Sequence, residues 1–144
     1  MNIRRATQAD MPVLLMYAQQ FIEFMDSRYV VYKEEHIRNI LSLIIDKHVF
    51  AIAEKDGMIV GGIGAMYVPS IYDPTTILLT ETFWWVGEEW RNTRAGWLLL
   101  DFLITFADVH TLPLVMSSLD KSGEGVDRLL QKRGFNLSEK SWVK

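Results

Sequence analysis

Apolar positions recur along this chain with two different periods, and the places where the period changes divide it into elements. Asn2 to Ala6 reads as a short strand, followed by Thr7 or Asp10 as a helix cap, with Pro12 tolerated because it falls in the first turn. Leu14, Tyr17, Ala18, Phe21, Ile22 and Met25 then follow helical spacing. The period breaks over Asp26 to Val31. A second helix begins near Lys33, with Ile37, Ile40, Leu41, Ile44 and Ile45 inward. His48 to Glu54 and Met58 to Val68 are strands joined by Asp56-Gly57, a strong two-residue hairpin signal. Within the second strand, Gly61-Gly62-Ile63-Gly64 suggests a phosphate loop, but no helix start follows, so a bulge or a close backbone approach is the better reading.

Pro69 to Pro74 is a rigid loop, and Thr76 to Val86 is a long strand crowded with aromatics. The helix from Ala95 to Val109 places Asp101, Thr105 and Asp108 on one face and Leu98, Leu99, Phe102, Leu103, Phe106 and Val109 against a sheet, with Trp97 near the wet side. Leu112 to Ser117 is a strand after a crossover, which implies a parallel pair with Thr76–Val86. Ser122 is the candidate cap of a last helix from Glu124 to Lys132, with Val126, Leu129 and Leu130 apolar and Gly134 as its stop. Phe135 to Val143 then supplies a final strand or two. The expected class is α+β: a mixed, mainly antiparallel sheet with a central parallel pair and helices on both faces, in one domain over residues 1–144.

Between the aromatic strand and the third helix stands V-G-E-E-W-R-N-T-R-A-G-W-L-L-L, from Val86 to Leu100. A strand, tight turn and helix start in this order direct free backbone N–H groups and the positive end of a helix dipole at one spot. The junction reads as a pyrophosphate cradle.

Composition narrows the partners. With 49% apolar residues, 144 residues build a substantial core, and a net charge of −3 carries no electrostatic footprint for nucleic acid, favouring instead a cationic small molecule or basic protein segment. Cysteine is absent, which removes thiolate metal sites and cysteine nucleophiles. His36, His48 and His110 show no metal-ligand spacing, so no metal is expected. No apolar run approaches the roughly 20 residues that span a bilayer, so the expectation is a soluble, cytoplasmic protein without a membrane partner.

The element order, together with V-x-x-x-x-R-x-x-R-x-G before an apolar helix, resembles the GNAT superfamily of acetyl-CoA-dependent N-acetyltransferases. Val86, Arg91 and Gly96 match its motif, and Gly134-Phe135 matches its G-F after the last helix. Arg94 departs from the pattern, standing where the first glycine is usual. The resemblance implies acetyl-CoA as co-substrate, held by Trp85 and Val86 along the pantetheine arm and by Arg91, Asn92, Thr93, Arg94, Ala95 and Gly96 at the pyrophosphate. Arg94 either adds a peripheral phosphate contact or points to solvent; a requirement for positive φ there would impair the cradle.

An alkylammonium acceptor, with a pKa near about 10.4, has to lose a proton before it attacks. Glu81 is the candidate base, as the resemblance also implies for a carboxylate on this strand, its pKa raised by its aromatic surroundings; the competing reading is an exposed strand carboxylate. The family's tyrosine acid, four residues before the G-F glycine, falls on Leu130. Water, Ser117 or Ser118 takes its place, or no acid is needed. An acceptor pocket is expected between the first two helices, the Pro69–Pro74 loop and Trp84–Trp85, with Tyr29, Tyr72 and Trp84 as the named contacts and Phe24, Tyr32, Tyr67 and Asp73 nearby. The activity expected is N-acetyl transfer to a small-molecule amine or a protein amino group; a non-catalytic CoA-binding or regulatory module is the alternative, and a homodimer through Trp97 is compatible with both.

Overall fold

A computed structural model describes residues 1–144. Five strands lie side by side in chain order: β1 (Asn2–Arg5), β2 (Val49–Lys55), β3 (Met58–Pro69), β4 (Ile77–Val86) and β5 (Leu114–Val115). The first four pair antiparallel, and β4 pairs parallel with β5. Helices α1 (Met11–Met25) and α2 (Glu34–Lys47) cover one face, where Leu14, Leu41, Ile44, Phe50, Ile52 and Phe83 form one core cluster. Helix α3 (Ala95–Val109) covers the other, packing Leu99 and Leu103 over Val49, Ala51, Val60, Ile63 and Leu79. Helix α4 (Glu124–Lys132) follows β5.

The local signals explain the joints. Thr7 N–H donates to Asp10 Oδ2 at 2.8 Å, and the same carboxylate takes Arg4 Nη1 at 2.8 Å, so both cap candidates serve one corner. Asp56 and Gly57 take φ of 51° and 78°, the pair of left-handed residues that a two-residue hairpin needs. The glycine run is a close approach: a Cβ on Gly62 or Gly64 would stand 2.9 Å from the Phe50 ring, and one on Gly61 would stand 2.7 Å from the Trp85 carbonyl oxygen. Gly134, at φ 87°, stops α4.

Four expectations are corrected. The strand expected over Leu112–Ser117 shrinks to Leu114–Val115: Pro113 has no N–H to give, its carbonyl takes Leu79 N–H at 2.9 Å, and pairing with β4 covers only Leu79 and Thr80. Phe135 to Val143 forms no strand, so the parallel pair lies at an edge of the sheet and not at its centre, and Leu137, Trp142 and Val143 are exposed. Helix α4 is capped by Gly123 at φ 71°, a conformation that Ser122 would resist. Val109, expected against the sheet, is 73% exposed at the end of α3, and Ile40 is exposed on α2, while the unanticipated Leu100 is fully buried.

Candidate active site

The site is organised by the strand that loses its partner. β4 pairs with β3 along its whole length, but with β5 only at Leu79 and Thr80, so from Glu81 to Val86 its outer edge is open. Within that open part the register slips: Ala65 faces Glu81 and Gly64 faces Phe83, leaving Thr82 as an extra residue. The extra residue puts the odd–even count along β4 out of step, so odd-numbered positions before and after it lie on opposite faces. Leu79 belongs to the α3 side, whereas Phe83 and Trp85 turn to α1 and Trp84 and Val86 to α3.

Trp85 is fixed by several contacts at once. Its Nε1–H donates to Gln20 Oε1 at 3.1 Å, Phe21 meets it edge-on at 5.9 Å, and Phe24 lies 5.4 Å away. Trp84 lies beneath the helix start, where a Cβ on Gly96 would come 4.0 Å from its Nε1.

Backbone direction at the end of β4 follows from one bond. Gly87 N–H donates inward to Val60 O at 2.9 Å, and a trans peptide points the attached Val86 C=O the opposite way. In a strand, a residue's own N–H and C=O share a side, so Val86 presents both to the open edge.

The chain then forms a 3-10 turn, Glu88–Trp90, and enters α3. Thr93 N–H donates to Trp90 O and Thr93 Oγ1 accepts from Ala95 N–H, while Asn92, Arg94, Gly96 and Trp97 leave their N–H groups without an acceptor in the protein. These donors cluster at the positive end of a 15-residue helix. Arg94 is its N-cap, with φ −80° and ψ −1°, an ordinary right-handed conformation, and its side chain is exposed. The missing glycine therefore costs the turn no strain. Gly96 has negative φ as well, and its missing Cβ would meet only Val86 and Trp84, at ordinary distances of 3.8 and 4.0 Å.

Glu81 sits where β4 and β5 part. It is partly buried, Ser117 N–H approaches its Oε2 at 3.4 Å, and desolvation pushes its pKa up to about 7, with the Ser117 N–H opposing. Near neutral pH it exchanges between acid and base forms. The Ser117 donor was not legible in the sequence, because only the parting of the strands brings that backbone group to the carboxylate. Neither was Lys121, which bridges to the end of α1 by donating to Phe24 O at 3.2 Å, with Asp26 3.8 Å away.

The proposed acceptor contacts are dispersed. Tyr72 is 92% exposed in its loop, Tyr29 is exposed between α1 and α2 with the Arg28 guanidinium over its ring, and Trp84 faces α3, on the opposite side of the sheet from Phe24 and Trp85. Tyr67 lies against His48. Leu130 is buried in α4, and Ser118 Oγ donates to Asp127 at 2.6 Å. Trp97 is exposed, with Arg133 5.9 Å over its ring and paired to Asp101 at 2.8 Å.

The family model described as "Acetyltransferase (GNAT) family" matches residues 15–135, which span the open strand, the helix start and α4. The chain belongs to the GNAT acetyltransferase family. It is accordingly an acyltransferase. Solved structures share the fold at low identity. A probable acetyltransferase is 18% identical, over 100% of this chain and 97% of its own, with a TM-score of 0.76. A predicted acetyltransferase from Clostridium acetobutylicum, with acetyl-CoA, is 15% identical over 99% and 94%, with a TM-score of 0.78. An aminoglycoside acetyltransferase from an uncultured soil metagenomic sample, in complex with sisomicin, is 16% identical over 99% and 92%, with a TM-score of 0.67. No curated protein matches the sequence.

Proposed function

We propose that this GNAT enzyme moves an acetyl group from acetyl-CoA to a primary amine, carried by a small molecule or a protein, with Glu81 taking the amine proton directly or through water. The observation that carries the reading is Glu81 at the parting of β4 and β5, with its pKa pushed up to about 7. A carboxylate at its ordinary pKa would be a weak base toward an ammonium; raising it narrows the gap.

The open edge at Val86 suits the amide groups of a pantetheine arm, and the unpaired N–H groups of Asn92, Arg94, Gly96 and Trp97 suit a pyrophosphate. The amine nitrogen forms its bond to the acetyl carbon as the carbon–sulfur bond breaks. Its proton passes to Glu81, and the thiolate, the conjugate base of a weakly acidic thiol, leaves and is protonated by solvent. Val86 N–H is the donor for the carbonyl oxygen as negative charge develops. The soil enzyme crystallised with sisomicin lends support to an amine acceptor. The reading places the enzyme in the cytoplasm, beside an acyl-CoA pool.

Thiol release from acetyl-CoA, followed across a panel of polyamines, aminoglycosides and peptide amines, tests the proposal. Release with at least one amine, lowered about 100-fold or more in Glu81→Gln, is expected; no release with any amine and no thermal shift with acetyl-CoA would sink it.

A further inference from the structure

The open edge of β4 is guarded. Arg91 Nε–H donates to Val86 O at 3.2 Å, and the Arg91 guanidinium carbon lies 4.3 Å above the centre of the Trp85 ring. The carbonyl so engaged is the one that the Gly87–Val60 bond turns outward, the acceptor that an incoming strand-like ligand would need. Trp85 itself cannot retreat, since Gln20, Phe21 and Phe24 hold it from the α1 side. Arg91 is thus a side chain of the cradle folded back over the arm-binding edge, held by one hydrogen bond and one cation–π contact.

We infer that Arg91 is a specificity-determining residue for the acyl donor, acting as a guard that leaves Val86 O only when a phosphate group offers its guanidinium a better partner. This rests on reading the β4 edge and the α3 start as the acyl-donor site. An unphosphorylated thioester arm that pairs with Val86 must break the Arg91 contacts with nothing in return. A donor bearing a pyrophosphate at the α3 start exchanges a neutral carbonyl for a charged acceptor, a stronger hydrogen bond to the same guanidinium. The same residue therefore penalises short thioesters and rewards CoA-bearing ones. In the unliganded protein it also keeps an exposed strand edge from pairing with other chains, a role to which a charged side chain is suited.

Titration calorimetry of wild type and Arg91→Ala with two ligands, S-acetylpantetheine and acetyl-CoA, tests the inference. The substituted side chain is exposed, and circular dichroism of both proteins checks that the fold is kept. Wild type is expected to prefer acetyl-CoA strongly. Arg91→Ala is expected to bind S-acetylpantetheine about fivefold more tightly, the scale of one released surface hydrogen bond, and acetyl-CoA about tenfold more weakly, the scale of one charge-assisted contact. A variant that binds both ligands equally less well, or S-acetylpantetheine no better than wild type does, overturns the guard while leaving the donor site in place. Wild type that binds neither ligand overturns the donor-site reading, and the guard with it.

Discussion

Ser117 N–H points at Glu81 Oε2 across 3.4 Å, joining two strands at the point where their ladder has already ended. The bond favours the ionised carboxylate, and burial opposes it more strongly, leaving a pKa of about 7. The transfer rate should therefore rise with pH through about 7 and then level off, because α4 carries a leucine, Leu130, where a tyrosine acid would impose a second, falling limb. A pH profile of kcat/KM for the best amine in the panel checks this. Glu81→Gln should remove the rise and lower the rate about 100-fold or more, within the usual range for a general base.

The same carboxylate should cost stability. Its folded pKa lies above the ordinary 4.5, so the native state holds the proton more tightly than the unfolded chain does. No cost exists below pH 4.5; it grows as pH rises and is complete above about 7. Glu81→Gln should match wild type in thermal melts at about pH 4 and exceed it at about pH 8.5 by about 2 kcal/mol, or roughly 5 °C. A variant melting below wild type at pH 8.5 would show that the ionised carboxylate is stabilised where it sits.

Gly96 separates the ligand from the fold. A methyl group there meets Val86 Cγ2 at 3.8 Å and Trp84 Nε1 at 4.0 Å, which the protein accommodates, and alanine suits a helix better by about 0.5–1 kcal/mol. Gly96→Ala should melt no lower than wild type, yet its KM for acetyl-CoA should rise about tenfold, since the methyl would occupy the approach of the pyrophosphate to the free N–H groups. Steady-state kinetics at fixed amine decide the point; an unchanged KM would place the phosphates elsewhere.

Gly64 behaves oppositely. Its Cβ would stand 2.9 Å from Phe50 Cδ2, and Phe50 is fully buried, packed 5.7 Å from Phe83. Gly64→Ala has to displace a core ring and should lose about 1–3 kcal/mol in urea unfolding, the cost of overpacking.

At the other end of the sheet, Asp10 is buried and its pKa is held below the ordinary value, chiefly by the Arg4 guanidinium, with Thr7 N–H adding to the effect. Its contribution is present above the ordinary value of 3.8 and is lost as pH falls through the depressed pKa. Asp10→Asn should destabilise by about 1–2 kcal/mol at pH 7, the pair being discounted because Arg4 is partly exposed, and the difference from wild type should shrink below pH 3.8. Melts at pH 7 and pH 3 measure both.

Much of the fold was legible because its signals are local. Asp56-Gly57 could form only one kind of turn, the apolar spacing of Leu14 to Met25 admits one buried face, and Val86, Arg91 and Gly96 lie at fixed offsets around a helix start. Partnering was not legible. Phe135–Val143 has strand-like residues but no strand to lie against, and nothing in Leu112–Ser117 announces that its ladder ends after two residues. The dispersal of the expected acceptor contacts has a related reason. A pocket on the α1 side of the Trp84–Trp85 strand cannot take Trp84, because a strand sends neighbours to opposite faces; Tyr29 and Tyr72 are loop residues whose places depend on everything around them. Arg91 could be placed at the cradle, but its fold back onto Trp85 depends on contacts from α1 that lie far off in sequence.

Thr82 adds one residue to β4 with no counterpart on β3, and that surplus has a consequence for how the chain can vary. Elsewhere in a sheet, a lost residue at a strand end shortens the strand. Here a deletion of Thr82 would leave Glu81 opposite Ala65 and Phe83 opposite Gly64 in an unbroken ladder, with Phe83 and Trp85 still toward α1 and Trp84 and Val86 still toward α3. The surplus residue is thus a local bend between base and cradle, and a variant lacking Thr82 should keep every aromatic on its own face in a straighter strand.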